Sequence, residues 1–316
     1  MANRPQPLDS KVLTISDLKA EADKKLPRTI SEYFNHGADD MTTLHDNEAA
    51  YARYKLRPRI LRNVGAIDTS TTIFGVKATT RDPNTPTNDA KQQTPIPLGF
   101  APCAAQKLAH ADGENGVSRA AARHGLAMCL SSWANTELGE VAAQSERGER
   151  EHGEQSAHGG GGGGNPYVMQ VSLLNDKRSA RRILRRAEVY TPEDVLLAIR
   201  HKLDGVVISN HGGRQLDGVP ATLDALRECA PVAKGKIGIA VDGGIRRGSD
   251  IFKALALGAD YCFVGRYNGE AGVDLAIKIL MREFKATMAL TGCKSVDEIC
   301  RSHLSILKPD GVLAKL

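Results

Sequence analysis

Short apolar runs alternate with helical segments along most of this 316-residue chain, and this alternation constrains the fold more than any other feature. Each run is too short for a helix and too evenly apolar for a strand with one face in water, which is typical of parallel strands buried on both faces. The six predicted strands are Ile96–Ala101, Ala127–Ser131, Tyr167–Val171, Gly205–Ser209, Ile237–Val241 and Tyr261–Val264. Repeated β-α units in one sheet imply right-handed crossovers, and hence either a doubly wound sheet or a (β/α) barrel.

One interval breaks this alternation. Asp176–Glu188 is predicted to be helical, and Thr191, a capping residue followed by Pro192, begins the next helix directly. A parallel β/α fold places a strand between consecutive helices, but only Val189 and Tyr190 lie here. Six predicted strands, where a closed barrel of this type has eight, indicate that two β/α units are missing.

Composition shifts outline the domain organisation. We expect a single domain over residues 11–316, with an N-terminal helical cap (11–64) followed by an incomplete barrel (65–316). Residues 144–165 are charged and polar and include six consecutive glycines, which is the composition of a flexible linker. This segment is therefore predicted to be a disordered glycine-rich insertion within the barrel.

Composition also excludes several classes of protein. The net charge of +5 is too small to argue for nucleic acid as a partner, and aromatic residues at 4% give little material for base stacking. No apolar run approaches the length of a membrane span, and no signal peptide opens the chain, so we expect no membrane partner. The six cysteines show no CxxC pair and no metal-ligand spacing, which predicts free thiols and no metal site.

The strongest chemical motif directly follows the predicted strand Gly205–Ser209, where His211 and Arg214 flank a pair of glycines. Side chains just beyond the carboxyl end of a parallel strand point into the ligand site. His211 can take a proton near neutral pH, and Arg214 can hold a carboxylate with two hydrogen bonds. An isolated histidine would more simply be a hydrogen-bonded turn residue, but this cluster at a strand end favours a site.

The next two strand ends are predicted to bind a phosphate. Asp242 and two glycines follow one strand, Gly265 and Arg266 follow the next, and an intact helix joins them. Glycine-rich turns after the last two strands of a barrel commonly form a phosphate site. Arg246 and Arg266 suit phosphate oxygens, and Asp242 suits a ribose or ribityl hydroxyl. Plain tight turns are the weaker alternative, because the full β-α-β spacing is present.

Together these motifs resemble the FMN-dependent 2-hydroxy-acid oxidase and dehydrogenase family, which includes glycolate oxidase, lactate oxidase and flavocytochrome b2. Ile30–Val64 is similar to the family's opening helices, and Pro97–Glu114 and Leu130–Ala134 resemble its first two strand ends. The resemblance implies an α/β fold, a (β/α)₈ TIM barrel lacking two of its eight units, with FMN as cofactor. The implied reaction is oxidation of a small (S)-2-hydroxy acid to the 2-oxo acid.

The resemblance also implies roles for individual residues. His211 would be the catalytic base, Tyr33 and Arg214 would hold the substrate, and Trp133 would lie near it. The implied FMN contacts are Pro102, Cys103 and Ala104 through their backbone, Ser131 and Gln170 at the isoalloxazine edge, Ser209 beside the ring, and Asp242, Gly243, Gly244, Ile245, Arg246, Gly265 and Arg266 at the ribityl chain and phosphate.

The chain departs from the family pattern at the junction Glu188–Val189. The family's Thr-Val-Asp strand, mobile active-site loop and Leu-Lys-Gly strand end are missing there. With them go the carboxylate that orients the base and the lysine that stabilises the reduced flavin. The alternative function is therefore a catalytically impaired, non-enzymatic remnant that binds FMN or phosphate. Another FMN barrel, a type 2 isopentenyl-diphosphate isomerase, is disfavoured by the stretch NHGGRQLD.

The last three residues, Ala314-Lys315-Leu316, resemble the C-terminal address of peroxisomal matrix proteins. They predict a peroxisomal location, with the cytoplasm as the alternative. The partners expected are a small 2-hydroxy carboxylate as substrate and further copies of the same chain in a homo-oligomer.

Overall fold

A parallel sheet forms the centre of the protein, and the computed structural model describes it within residues 8–73, 93–151, 167–170, 186–266, 269–307 and 311–316. The strands are β1 (Tyr54–Leu56), β2 (Thr71–Thr72), β3 (Gln93–Thr94), β4 (Leu98–Phe100), β5 (Ala127–Leu130), β6 (Tyr167–Met169), β7 (Arg186–Val189), β8 (Gly205–Ile208), β9 (Gly238–Val241), β10 (Tyr261–Val264), β11 (Leu304–Leu307) and β12 (Leu313–Lys315). The α-helices are α1 (Ile15–Asp23), α2 (Arg28–Asn35), α3 (Thr42–Arg53), α4 (Gly113–Arg123), α5 (Leu138–Glu151), α6 (Pro192–Arg200), α7 (Thr222–Ala233), α8 (Gly248–Leu257) and α9 (Glu270–Thr291).

The central sheet has seven parallel strands among the described residues, in the order β6-β5-β4-β10-β9-β8-β7. Its first strand along the chain, β4, pairs with its last, β10, with Leu98 opposite Cys262 and Phe100 opposite Val264. This is the pairing that closes a (β/α)₈ barrel, but here the sheet ends at β6 on one side and at β7 on the other. The predicted fold class, an α/β barrel that is incomplete, is confirmed.

One strand differs from the prediction. Arg186–Val189, predicted as the end of a helix and the first residue of the junction that follows it, forms β7 and pairs in parallel with β8, with Glu188 opposite Val207. Val189 packs against the main core. A strand at the edge of a sheet needs only one neighbour, so a short segment of mixed polarity suffices here. The sheet therefore has seven described strands rather than the six predicted, and residues 176–185 of the predicted helix lie outside the described part.

The first residues of the predicted disordered insertion are helical instead. Residues 144–151 complete helix α5, which Val141 anchors in the core. The segment after Val141 is rich in alanine, glutamate and glutamine, which favour helix, so the helix continues into sequence that looks like a linker by composition alone. Residues 152–165, including the glycine run, lie outside the described residues.

Alternation along the strands separates two apolar clusters. In β10, Cys262 and Val264 join the large cluster formed with the surrounding helices, whereas Tyr261 and Phe263 belong to a small cluster on the opposite face, inside the curve of the sheet. Two predicted helix boundaries are confirmed as well: Thr191 caps α6, and Gly258 ends α8 with φ of 114°. In the described part of the chain, every helix is too short or too polar to span a bilayer.

Helix α3 is capped from the barrel. The Asp217 carboxylate, in the loop after β8, accepts hydrogen bonds from the backbone N–H of Thr43 at 2.7 Å and of Thr42 at 3.1 Å. These bonds hold the pKa of Asp217 well below its usual value. Since the residue at the N-cap position, Met41, offers no side-chain hydrogen bond, Asp217 supplies the cap and attaches the N-terminal helices to the strand ends.

Gly248, the first residue of α8, packs directly against the backbone of α9. A Cβ atom at this position would lie 2.6 Å from the carbonyl oxygen of Leu280 and in contact with the backbone N of Phe284. Two backbones cannot yield as a flexible side chain does, so only glycine fits here.

We expect Gly248→Ala to lower the free energy of unfolding by at least about 1–3 kcal/mol, the usual cost of overpacking. Gly139→Ala is the matched control, because nothing lies within 4 Å of a Cβ added at Gly139 in α5. That substitution should be neutral or stabilising by up to about 1 kcal/mol. Urea unfolding of both variants measures the difference, and equal stability of Gly248→Ala and wild type would contradict the close helix approach.

Candidate functional site

A cleft of about 810 Å³ opens at the carboxyl ends of the central strands and is bordered by residues of α1, α2 and α3. Fourteen of the seventeen predicted site residues line it: Tyr33, Pro102, Cys103, Ala104, Ser209, His211, Arg214, Asp242, Gly243, Gly244, Ile245, Arg246, Gly265 and Arg266. The remaining three predicted residues, Ser131, Trp133 and Gln170, are not among those that line the cleft. Because β4, β8, β9 and β10 lie side by side, the loops that follow them meet in one place, and the predicted motifs share one site.

The loop after β8 presents the His211 side chain to this cleft. His211 has a left-handed backbone conformation, with φ of 57°, and its N–H donates to Ser209 Oγ at 3.1 Å. Gly213 must remain glycine, since a Cβ there would lie 2.7 Å from the backbone N of Leu44. The His211 ring is exposed, and within the described residues it has no hydrogen-bond partner. A strained turn thus holds out an imidazole that is free to meet a ligand.

Arg214 links the same loop to helix α2 while keeping its charge available. Its Nη1 donates to the carbonyl oxygens of Tyr33 at 2.6 Å and His36 at 3.1 Å. The guanidinium also lies over the Tyr33 ring, 5.1 Å from its centroid. Carbonyls and an aromatic face orient a cation without neutralising it, and no carboxylate of the described residues pairs with Arg214. The group is therefore positioned to bind an anion in the cleft.

Arg266 is a second guanidinium without a carboxylate partner among the described residues. Its Nη1 donates to the Phe34 carbonyl at 3.2 Å and its Nη2 to the Gly212 carbonyl at 3.1 Å. Burial, with the nearby charge of Arg214, holds the pKa of Arg266 below its usual value. Arg246 differs, because Glu48 pairs with it at 2.8 Å. The cleft therefore contains uncompensated positive charge, which an anionic ligand would neutralise.

Asp242, at the end of β9, contributes a buried carboxyl group. Its Oδ1 atom is buried and has no hydrogen-bond partner among the described residues. Burial, with a smaller contribution from the Glu188 charge, raises the pKa of Asp242 to about 7, although the hydrogen bond from Ser209 lowers it. Thr222 Oγ1 donates to the Asp242 carbonyl at 2.6 Å and fixes the turn. A buried oxygen without a partner costs free energy unless a ligand supplies one.

The glycine turns after β9 and β10 also leave donors free. The backbone N–H groups of four cleft-lining residues donate to no acceptor among the described residues. They belong to Gly243, Gly244, Ile245 and Gly265. Successive N–H groups without an acceptor in a glycine turn can form an anion-binding concavity.

Asn47 of α3, which belongs to none of the predicted motifs, supports these turns. Its side chain exchanges two hydrogen bonds with the Asn210 amide, each of 2.9 Å, and accepts a third from the N–H of Thr222 at 3.1 Å. A Cβ at Gly244 would collide with the Asn47 carbonyl. Asn47 thus joins the loops after β8 and β9, although 163 residues separate it from Asn210.

A chain of polar side chains spans the gap between the two sheet edges. Ser131 Oγ donates to Gln170 Oε1 at 3.3 Å, and Gln170 Nε2 donates to Glu188 Oε1 at 3.4 Å. Ser131 follows β5, Gln170 follows β6, and Glu188 belongs to β7. Trp133 is 75% exposed, and only its backbone contacts this chain, donating to Ser131 Oγ at 3.2 Å. Glu188 is a cleft residue that sequence reasoning missed.

Glu114 is a second residue that sequence reasoning missed. Its carboxylate is fully buried and accepts hydrogen bonds from the backbone N–H of Gln106 at 3.3 Å and of Asn135 at 3.0 Å. The Thr136 hydroxyl donates to its second oxygen at 3.0 Å. Glu114 therefore ties the loop after β4 to the loop after β5, and both of these loops contain predicted site residues.

Comparison with known proteins agrees with this geometry. The model of the FMN-dependent dehydrogenase family matches residues 22–190 and 188–306. The oxidase FUB9 of Gibberella fujikuroi is 40% identical over 375 aligned positions, covering 96% of each chain. The glycolate oxidase of Spinacia oleracea is 33% identical, covering 93% of this chain and 96% of its own.

Solved structures show the same fold. Mandelate oxidase with benzoyl-formic acid superposes with a TM-score of 0.75 at 25% identity, covering 93% of this chain and 99% of the oxidase. A flavocytochrome b2 variant with bound sulfite has a TM-score of 0.78, covering 95% of this chain and 87% of its own, and at 24% identity it supports the fold alone.

The matches also locate the internal gap. The 375 aligned positions exceed the 316 residues of the chain, so at least 59 of those positions have no counterpart here. The family match breaks at residues 188–190, where β7 ends. On the strength of a match that spans most of its length on either side of this break, the chain belongs to the FMN-dependent dehydrogenase family.

Proposed function

We propose that this chain oxidises a small (S)-2-hydroxy carboxylate to the 2-oxo acid, with FMN as the first electron acceptor, and that residues 11–316 act as one catalytic domain. The observation that carries the proposal is the free imidazole of His211 in the same cleft as Arg214, whose charge no carboxylate of the described residues neutralises. The relatives named glycolate oxidase and mandelate oxidase support a hydroxy-acid substrate.

The cleft residues fit FMN. The unpartnered Oδ1 of Asp242 suits a ribityl hydroxyl, and the free N–H groups of the glycine turns suit phosphate oxygens. We assign the phosphate and ribityl chain to Asp242, Gly243, Gly244, Ile245, Arg246, Gly265 and Arg266, and the isoalloxazine to Pro102, Cys103, Ala104, Ser131, Gln170 and Ser209. The basic side chains among them offset the phosphate charge.

The remaining residues act on the substrate. Bound FMN supplies the chemistry of accepting two electrons. Arg214, held over the Tyr33 ring, binds the substrate carboxylate and fixes its orientation. His211 takes a proton from the substrate at an imidazole nitrogen, and its exposed ring leaves room for the substrate to approach.

The alternative is a chain that binds FMN but does not turn over. Two observations favour keeping it: no carboxylate of the described residues contacts the His211 ring, and the sheet stays open between β6 and β7. A catalytic histidine normally has a carboxylate that orients it and stabilises its charged form. Loss of flavin absorbance on adding a hydroxy acid separates the two functions.

We expect the purified protein to be yellow and its visible flavin absorbance to bleach when glycolate, lactate or mandelate is added without oxygen. His211→Asn should still bind FMN but bleach at least ~100-fold more slowly, as expected for loss of a general base. Leu216→Ala is the control, because Leu216 is 69% exposed in the same loop. A wild-type rate in His211→Asn would rule out the assigned base, and a yellow protein that never bleaches would support the alternative.

The pKa of Asp242 predicts how the FMN-free protein responds to pH. Burial raises this pKa from 3.8 to about 7, so the folded state holds a proton that the unfolded chain releases. The cost of ionising the buried carboxyl is absent below the unfolded pKa, grows as pH rises, and is complete above the folded pKa.

We therefore expect Asp242→Asn to be more stable than wild type by roughly 2–4 kcal/mol at about pH 8, and by progressively less toward pH 4. Urea unfolding across this range measures the difference. Asp40→Asn, at an exposed carboxylate, controls for the loss of one negative charge. A stability gain that does not depend on pH would show that the Asp242 carboxyl is not buried.

We also propose a peroxisomal location, supported by the C-terminal tripeptide Ala314-Lys315-Leu316. Ala314 lies opposite Ile306 in the pairing of β12 with β11, and Leu316 packs against the core, so the strand end must detach to meet a receptor. A fluorescent protein fused to the N-terminus should form puncta with a peroxisomal marker, and removing Leu316 should disperse it. Diffuse fluorescence from both fusions would favour the cytoplasm.

A further inference from the structure

Glu188 places a carboxylate at the open side of the sheet. It lies at the end of the polar chain that begins at Ser131 and passes through Gln170, whose Nε2 donates to Glu188 Oε1 at 3.4 Å. This chain bridges β6 and β7, the two edges that no strand of the described residues joins. The carboxylate therefore lies at the edge where a closed barrel would have its next strand.

The side chain of Glu188 points to the inner face of the sheet. Glu188 is opposite Val207 in the pairing of β7 with β8, and opposite residues on neighbouring strands point to the same face. Val207 packs against the small apolar cluster that contains Tyr261 and Ala240, inside the curve of the sheet. Consistent with this direction, Glu188 lines the cleft together with Ser209 and His211.

Glu188 forms no ion pair among the described residues, whereas the cleft carboxylates Glu21 and Glu48 pair with Lys24 and Arg246. Its negative charge also contributes to the raised pKa of Asp242. The wall formed by the polar chain is thus negative, while the guanidinium groups of Arg214 and Arg266 lie toward α2.

We propose that Glu188 biases the bound flavin toward forms with a neutral ring and against forms that place negative charge on it. The inference rests on the proposed function, in which Ser131 and Gln170 contact the isoalloxazine edge. Glu188 is the next member of that hydrogen-bonded chain, so its charge lies close to the ring. Like charges within about 10 Å, at an effective dielectric of about 20, shift an equilibrium roughly tenfold or more. Donation of electrons from the reduced ring to an acceptor is favoured in the same measure.

Sulfite is a direct probe of this bias. The lone pair of the sulfite sulfur forms a bond to flavin N5. The N5=C4a π bond breaks, a π electron pair of the ring shifts to N1, and the adduct therefore carries negative charge on the ring. Visible absorbance reports adduct formation without any turnover of hydroxy acid. FMN binding is measured first by fluorescence titration, and the holoprotein is then titrated with sulfite.

We expect Glu188→Gln and Glu188→Ala to bind sulfite roughly tenfold more tightly than wild type. Glu188→Asp keeps the charge and should stay within about threefold of wild type, which separates a charge effect from loosened structure. Glu21→Gln is the matched control, because it removes a carboxylate from the wall of the same cleft at α1, where Lys24 already neutralises it. Its sulfite affinity should change by less than about twofold.

Unchanged sulfite affinity in both neutral variants overturns the inference and leaves the proposed function intact, since bleaching by hydroxy acids tests that function separately. Equal tightening in Glu188→Asp or in Glu21→Gln also overturns it, because the effect would then not come from the charge at this position. A chain that binds no FMN overturns the inference together with the proposed function.

Discussion

The pairing of β4 with β10 is the contact on which the rest of the structure depends. It joins segments about 160 residues apart, with the N–H of Ala101 donating to the Val264 carbonyl at 2.7 Å directly beyond the paired strands. Because the strands are parallel, this contact fixes both the neighbours in the sheet and the height at which their carboxyl ends stop. The loop after β4 is thereby set beside the turns after β9 and β10, and the cleft exists only because these ends are level.

Hydrogen bonds attach the N-terminal helices to the site, in addition to the apolar contacts that Ile15, Ala50 and Tyr51 make in the core. Asp217 caps α3, Asn47 pairs with Asn210, and the guanidinium groups of Arg214 and Arg266 bond carbonyls of α2. Where such a group is partly buried, as Arg266 is, loss of its partner costs more than the bond contributes. These bonds fix the position of the N-terminal helices. Carbonyl groups, and not carboxylates, hold Arg214 and Arg266, so the two guanidinium charges remain available to ligands.

The parts of this structure that the sequence predicts are those set by local pattern. An unbroken run of non-polar residues predicts a buried strand such as Ile237–Val241, and a threonine followed by proline and acidic residues predicts the helix cap at Thr191. The cleft motifs are recognisable because they follow strand ends. The strand β7 was not predicted, because pairing with β8 at the edge of the sheet stabilises it and burial on two faces does not. Asn47 and Glu188 were not predicted as site residues for a similar reason. Their hydrogen-bond partners are distant in sequence or lie across the opening, and no sequence spacing indicates such contacts.

The gap in the barrel lies on one side of the proposed FMN site. The strands β8, β9, β10 and β4 are neighbours in the sheet, and the glycine turns with Asp242 and Arg266 follow β9 and β10. The opening lies between β6 and β7, so none of these four strands forms its edge. The opening lies on the opposite side, beside Gln170 and Glu188. The missing segment thus lies away from the turns after β9 and β10. The residues assigned to the FMN phosphate therefore lie away from the opening, whereas Ser131 and Gln170, assigned to the isoalloxazine, lie beside it.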